Sequence, residues 1–309
     1  MATNTLIDTL LSHQTDGATF LTDTSGATLS YGGLRARVAA AAAHLAAAGV
    51  VPGDRVLCQI AKSPEGLILY LATVAAGAVF VPLNTAYTAA ELDYFLEDAA
   101  PSLLVLDDST RSARTVAEAR SVPVASPAEL TGPGPVAAPV PRAPDELAAI
   151  LYTSGTTGRS KGAMLTHANL VLNAEALVST WHWTTSDRLL HALPIFHTHG
   201  LFVATNVTLR AGASMVFLPA FSLDALAERL PACTTLMGVP TFYTRMLTDP
   251  RYTRDALAHL RLVISGSAPL LAETYALFAE RTGHMILERY GMTETNMITS
   301  NPYEGQRRA

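Results

Sequence analysis

Leu151-Tyr-Thr-Ser-Gly-Thr-Thr-Gly-Arg-Ser-Lys-Gly162 is the stretch on which the reading of this chain turns. It follows the apolar run Ala148–Leu151, which has the size of a buried strand. Gly155, Gly158 and Gly162 let the backbone turn freely and approach a ligand closely. Thr153, Ser154, Thr156, Thr157 and Ser160 supply hydroxyl donors, and Lys161 adds a positive charge. Backbone N–H groups, hydroxyls and one ammonium suit a polyphosphate. A plain Ser/Thr/Gly surface hairpin has the same composition. A Walker loop does not fit, because its second glycine would fall at Ser160 and Gly162 stands where Ser or Thr is required after Lys161. Ala163–Thr166 reads as a strand rather than a helix, so the spacing predicts a phosphate loop of another type.

Outward from this loop the pattern alternates. Arg55–Ile60 and Leu103–Leu106 read as strands, and Pro64–Ala75 and Arg111–Arg120 as helices. Thr88 and Glu91 have capping-box spacing ahead of a helix through Tyr94 and Phe95. Further strand-sized runs lie at Leu189–Ala192, Met215–Leu218, Thr234–Met237 and Arg261–Ile264. Strands separated by helices predict an α/β fold with mainly parallel sheets flanked by helices. Seven prolines between Pro123 and Pro144 cannot continue a helix or an inner strand. They predict a surface connection over 123–144 between a lobe 1–122 and a lobe 145–309.

Composition excludes several classes. Hydrophobic residues make up 49% of the 309 residues and charged ones 15%, so a large core forms and disorder is excluded for most of the chain. A net charge of −5 with no basic run argues against a nucleic-acid binder. Cys58 and Cys233 are far apart and give neither a disulfide framework nor zinc spacing, which points to a reducing, cytoplasmic setting. Met1–Gly17 carries Asp8 and Asp16 and has no targeting pattern. Leu67–Leu83 lacks charge but contains Gly77 and Pro82, so it reads as a helix, a glycine stop and a strand rather than a membrane span.

Two further motifs follow in order, Ser265-Gly-Ser-Ala-Pro269 and Tyr290-Gly-Met-Thr-Glu294. With the 152–162 loop they resemble the signature motifs of the adenylate-forming superfamily, which includes acyl-CoA synthetases, luciferases and peptide-synthetase adenylation domains. The resemblance implies the large N-terminal domain of such an enzyme, using ATP, Mg²⁺ and coenzyme A. A carboxylate would attack the α-phosphate of ATP, and a thiol would then displace AMP. An anion must approach a polyanion, so catalysis is mainly positioning and neutralisation.

The resemblance makes Thr153, Ser154, Gly155, Thr156, Thr157, Gly158 and Lys161 the phosphate cradle. Thr293 would meet the α-phosphate, and Glu294, with Thr156, would hold the metal. Tyr290 would stack on adenine against Ser267, Ala268 and Pro269, with Arg289, Gly291 and Met292 completing the nucleotide set. Read alone, Glu294 fits a helix N-terminal acid and Tyr290 a half-buried core aromatic. His197 and His199, two residues apart, lack a nearby Cys, Asp or Glu to complete a metal set. The resemblance places His197 beside the acyl pocket and thiol channel, as a catalytic group with Lys161, Thr293 and Glu294.

Phe196-His-Thr-His-Gly200, Thr205-Asn-Val-Thr-Leu209 and Val239-Pro-Thr-Phe-Tyr-Thr-Arg-Met-Leu247 resemble the malonyl-CoA synthetases over nearly the whole chain. Arg245 beside Phe242 and Met246 otherwise reads as an arginine that reaches for water. Malonate gives it a role, because the unreacted carboxylate needs a partner and a guanidinium binds it through two hydrogen bonds. Thr205, Ser265 and Met297 would limit the pocket to short acids. Methylmalonate, acetate, or a non-catalytic nucleotide-binding role are the rival readings. The resemblance also implies a C-terminal domain, carrying a lysine for adenylation, beyond the chain read here. Little turnover is expected without it.

Overall fold

The computed structural model describes residues 3–153 and 159–307, with the backbone alone for Arg111 and Ser112. In chain order the strands are β1 (Thr19–Thr22), β2 (Thr28–Ser30), β3 (Arg55–Gln59), β4 (Val79–Pro82), β5 (Leu103–Leu106), β6 (Val124–Ala125) and β7 (Leu147–Thr153). There follow β8 (Lys161–Thr166), β9 (Arg188–His191), β10 (Ser214–Phe217), β11 (Thr235–Gly238), β12 (Leu262–Ser265), β13 (Leu287–Met292) and β14 (Asn296–Ser300). One sheet has the order β6-β5-β3-β4-β7-β8 and the other β14-β13-β12-β11-β9-β10-β1-β2. The first is parallel except for β7–β8. The second is parallel from β13 to β1, with antiparallel hairpins β1–β2 and β13–β14 at its edges. The expected mainly parallel α/β architecture is what the chain adopts.

Burial explains the parallel cores. Every residue of β4, β5, β11 and β12 is buried, so both sheet faces need helices. Leu57, Val81 and Leu104 pack against Leu92, Phe95 and Leu96 of the helix Ala89–Ala99 and against Ala113 and Ala117 of the helix Arg111–Ala119. Local signals set the helix ends. The Ser63 side chain accepts from the Gly66 N–H ahead of the helix Pro64–Ala75. Gly77, at φ +75°, then turns the chain into β4. Thr88 and Glu91 form the expected capping box. Among the described residues no helix is long and apolar enough to cross a membrane.

The chain divides into two compact units, one of residues 1–16, 31–171 and 195–197, the other of 17–30, 172–194 and 198–309. This division does not follow the proline-rich segment, which lies wholly within the first unit. There β6 pairs with β5, and Ser126 caps the helix Pro127–Thr131. The Ala137 and Val140 N–H groups donate to the Ala39 and Ala75 carbonyls. The proline-rich segment thus builds a short strand and a short helix of its own, and elsewhere it is tied down by bonds to distant segments. The N-terminal β1–β2 hairpin belongs to the second unit because β1 pairs with β10. Within that unit the Asp187 carboxylate binds Arg261 at 2.6 Å through each oxygen and also accepts from Thr234 Oγ1 at 2.9 Å, tying together the starts of β9, β11 and β12.

In the first unit His167 is fully buried, and its Nδ1 accepts from the Leu6 N–H at 3.2 Å. Burial, reinforced by Arg142, pulls its pKa down to about 4. The folded state therefore holds a neutral ring, whereas the unfolded ring titrates near 6.5. Stability from this site is complete above pH 6.5 and is lost as the pH falls toward 4, by about 3 kcal/mol. Urea midpoints measured between pH 7.5 and 4 should fall accordingly, and His167→Asn should flatten that slope.

Candidate active site

The β7–β8 hairpin carries the predicted phosphate loop in the first unit. Its ladder runs out to the Thr153–Lys161 pair, which sets the two ends of the loop opposite each other. Thr153 is half-buried and the Lys161 ammonium is exposed. Ser154, Gly155, Thr156, Thr157 and Gly158 lie outside the described residues. The same unit has a hollow of about 940 Å³ past the carboxyl ends of β3 and β5, bordered by Ser63, Asp107, Thr110, Arg114 and Ser126. No sequence motif marked it.

In the second unit β12 delivers Ser265 and the Ser267-Ala268-Pro269 loop, and β13 delivers Arg289, Tyr290, Gly291 and Met292. Between them lies a hollow of about 530 Å³ lined by Ser267, Ala268, Pro269, Arg289, Tyr290 and Gly291, with Thr299–Asn301 of the returning chain. Tyr290 is 57% exposed, so its ring is not a core aromatic. Thr293 and Glu294 occupy the turn between β13 and β14, and Glu294 is exposed. The helix N-terminal reading of Glu294 therefore does not hold.

Arg289 is 4% exposed, and its Nη2 reaches Ser267 Oγ at 3.5 Å. Its Nε has no hydrogen-bond partner among the described residues. Burial pulls this guanidinium down to about 10, which leaves it charged at neutral pH. A Cβ at Gly266 would fall 2.3 Å from the Arg289 Cζ, so glycine there makes room for the buried cation. Ser267 Oγ also meets His199 Nδ1 at 3.2 Å. His199 is buried and opens a π-helical turn, His199–Thr205, a form frequent at functional sites. His197 is exposed and belongs to the first unit. Among the described residues no three His, Cys, Asp or Glu side chains are grouped to hold a metal.

The residues expected around the acid are placed as follows. Ser265 is buried, and its hydroxyl has no partner among the described residues. Thr205 is buried and donates to the Gly200 carbonyl at 3.0 Å, so its hydroxyl serves the π-turn. Met297 is half-buried, with its Cε 2.6 Å from where a Gly291 Cβ would stand. Arg245 lies on the helix Pro240–Leu247 that follows β11. It is exposed, with its guanidinium 4.6 Å from the Phe221 ring centroid. It stacks on an aromatic face with its guanidinium open to solvent.

Three supporting side chains carry no local signal. Asn173 acts like a strand partner, donating to the Met297 carbonyl at 3.0 Å and accepting from its N–H at 3.4 Å. Asn296 is buried in a left-handed conformation, φ +55°, which asparagine tolerates better than most residues. It accepts from Thr198 Oγ1 at 2.8 Å.

Comparison with known proteins bears on this geometry. The model of the AMP-binding enzyme family matches residues 11–309. A crystal structure of ATP-bound MatB from Rhodopseudomonas palustris superposes with a TM-score of 0.94 at 51% identity, covering 98% of this chain and 63% of that one. The mitochondrial malonate–CoA ligase ACSF3 of Mus musculus is 35% identical over 82% of this chain and 48% of its own length. A feruloyl-CoA synthase of Amycolatopsis is 36% identical over 87% of this chain and 55% of its own length. The chain spans about half the length of these curated relatives.

Gly291 is the tightest point of the hairpin. A Cβ there would meet the Asn296 carbonyl oxygen at 2.1 Å, and backbone cannot swing aside as a side chain can. Gly291→Ala should cost about 1–3 kcal/mol, the scale of overpacking, read as a lower urea midpoint.

Proposed function

Because the chain belongs to the AMP-binding enzyme family, we propose that it forms the ATP- and acid-binding part of an AMP-forming acid–thiol ligase, which activates malonate as malonyl-adenylate and passes it to coenzyme A. The observation that carries this is the hollow between Tyr290 and the Ser267–Pro269 loop, in a chain 51% identical to ATP-bound MatB. An exposed aromatic face suits a purine, and short side chains opposite leave room for it. Thr293 and Glu294 follow directly on that wall. Thr293 would donate to the α-phosphate, and Thr153 to Lys161 would take the terminal phosphates.

Mg²⁺ fits the donors present. This ion is usually held by one or two carboxylates together with substrate phosphates, and Glu294 offers one exposed carboxylate. Thr156 is the second candidate. When bound, the ion would offset phosphate charge as the acid approaches. Lys161 contributes in the same sense from the loop. His197 would border the path of acid and thiol. A C-terminal part of the same protein would supply the lysine and complete the thiol channel, in keeping with relatives about twice as long. The cytoplasm suits the two thiols, since burial pushes the Cys58 pKa up and that of Cys233 up to about 12, leaving both inert.

Malonate is favoured over other acids by Arg245, whose exposed guanidinium stacks on Phe221, makes no ion pair among the described residues and is open to a second carboxylate. Arg289, buried without a carboxylate beside it, lines the nucleotide hollow and calls for an anionic partner there. Arg245 would grip the distal carboxylate, while Ser265, Thr205 and Met297 keep the cavity short. Thr205 would act by its bulk, because its hydroxyl is already engaged.

Calorimetric titration of the chain with ATP and AMP, then with malonate or acetate in the presence of nucleotide, tests the reading. Tyr290→Ala should weaken AMP binding by about 1–3 kcal/mol, the scale of base stacking on an aromatic ring. Arg245→Met should weaken malonate binding at least about tenfold, or roughly 1.4 kcal/mol, and leave acetate unchanged. A full 3–5 kcal/mol is expected only where the pair is wholly enclosed. Absence of ATP and AMP binding at millimolar concentration would overturn the nucleotide assignment, and unchanged malonate affinity would remove Arg245 from the acid site.

A further inference from the structure

We propose that the helix Ala89–Ala99 clamps the two flanks of the predicted phosphate loop, Tyr152 and Ser160, and thereby favours ATP binding, with Tyr94 and Asp98 as positioning residues. This rests on the nucleotide reading above. Tyr94 and Asp98 are one turn apart and share a helix face. Tyr152, on the β7 side of the loop, donates from its hydroxyl to Asp98 Oδ2 at 2.7 Å. Tyr94 donates from its hydroxyl to the carbonyl of Ser160, on the β8 side, also at 2.7 Å. One helix face therefore holds the entry and the exit of the same loop. Burial, reinforced by the Asp98 carboxylate, pushes the Tyr152 pKa up, so that phenol stays a donor. The Arg159 guanidinium lies 5.2 Å from the Tyr94 ring centroid, and the Phe95 and Tyr152 ring centroids are 4.4 Å apart.

The clamp is itself anchored. The Thr88–Glu91 capping box fixes the start of the helix, and Leu92, Phe95, Leu96 and Ala99 are buried in the core below it. Ordering backbone around a ligand costs conformational entropy. Fixing both stems beforehand lowers that cost, so more of the contact energy with the phosphates appears as affinity. Neither phenol needs to touch the nucleotide. Their effect should fall on the β- and γ-phosphates and leave the adenine hollow, built on the other sheet, unaffected.

Calorimetry with ATP and AMP as paired probes separates these. Tyr94→Phe removes one hydroxyl and keeps the ring under Arg159. It should weaken ATP binding about fivefold to tenfold, the scale of one neutral hydrogen bond, while AMP affinity stays within about twofold. Tyr152→Phe, which breaks the bond to Asp98, should show the same split. Trypsin cleavage after Arg159 and Lys161 should quicken in both variants, with little change in Tm. Wild-type ATP affinity in both variants, or equal losses for ATP and AMP, would overturn the clamp. Failure of the unaltered chain to bind ATP would instead defeat the nucleotide reading on which the clamp stands.

Discussion

Strands buried on both faces cannot carry chemistry on those faces, and this constraint organises the molecule. In a parallel sheet covered by helices, reactive side chains collect in the loops that leave the carboxyl ends of the strands. In the second unit β9, β11, β12 and β13 all run the same way, so the loops after them lie along one sheet edge. Those loops and helix starts hold His199, Ser267–Pro269 and Thr293–Glu294, and Arg245 lies in the last turn of the helix that follows β11. Phe221, under Arg245, follows β10 at the same edge. In the first unit the predicted phosphate loop follows the carboxyl end of β7, which is parallel to β4. The motifs are scattered in sequence because one arrives with each strand.

The β13–β14 hairpin shows how much support such an edge needs. It closes the second sheet with an antiparallel pair and so presents an unpaired strand side. Asn173 occupies part of that side by bonding both backbone groups of Met297. Trp181 Nε1 reaches Ser300 Oγ at 2.9 Å farther along. Beneath the hairpin, Gly266 and Gly291 give up side chains so that Arg289 and Met297 can pack. A buried charge beside the hollow costs stability, and an anionic partner would offset that cost.

Much of the fold was legible because its signals are local. The helix Pro64–Ala75, its glycine stop and the strand β4 follow from apolar run length and punctuation. The capping box at Thr88 and Glu91 reads directly from spacing. Other features were not legible. The proline segment looked like a boundary because proline forbids regular structure, yet its carbonyls and N–H groups bond within one unit. The β1–β2 hairpin takes its place from β10, far along the chain, and no local pattern encodes that pairing.

The sequence by itself determined the family and the residue types of its motifs, since spacing of glycines, hydroxyls, Tyr290 and Glu294 is a property of the chain alone. Tertiary structure decided how those residues stand. Burial left Arg289 a charged group without a carboxylate, while exposure set Arg245 on the face of Phe221. It also engaged the Thr205 hydroxyl in the π-turn, and it brought Tyr94 and Asp98 against Ser160 and Tyr152, some sixty residues away. Hydrogen-bond partners and solvent exposure depend on which segments pack together, and packing between distant segments is what spacing along one chain does not record.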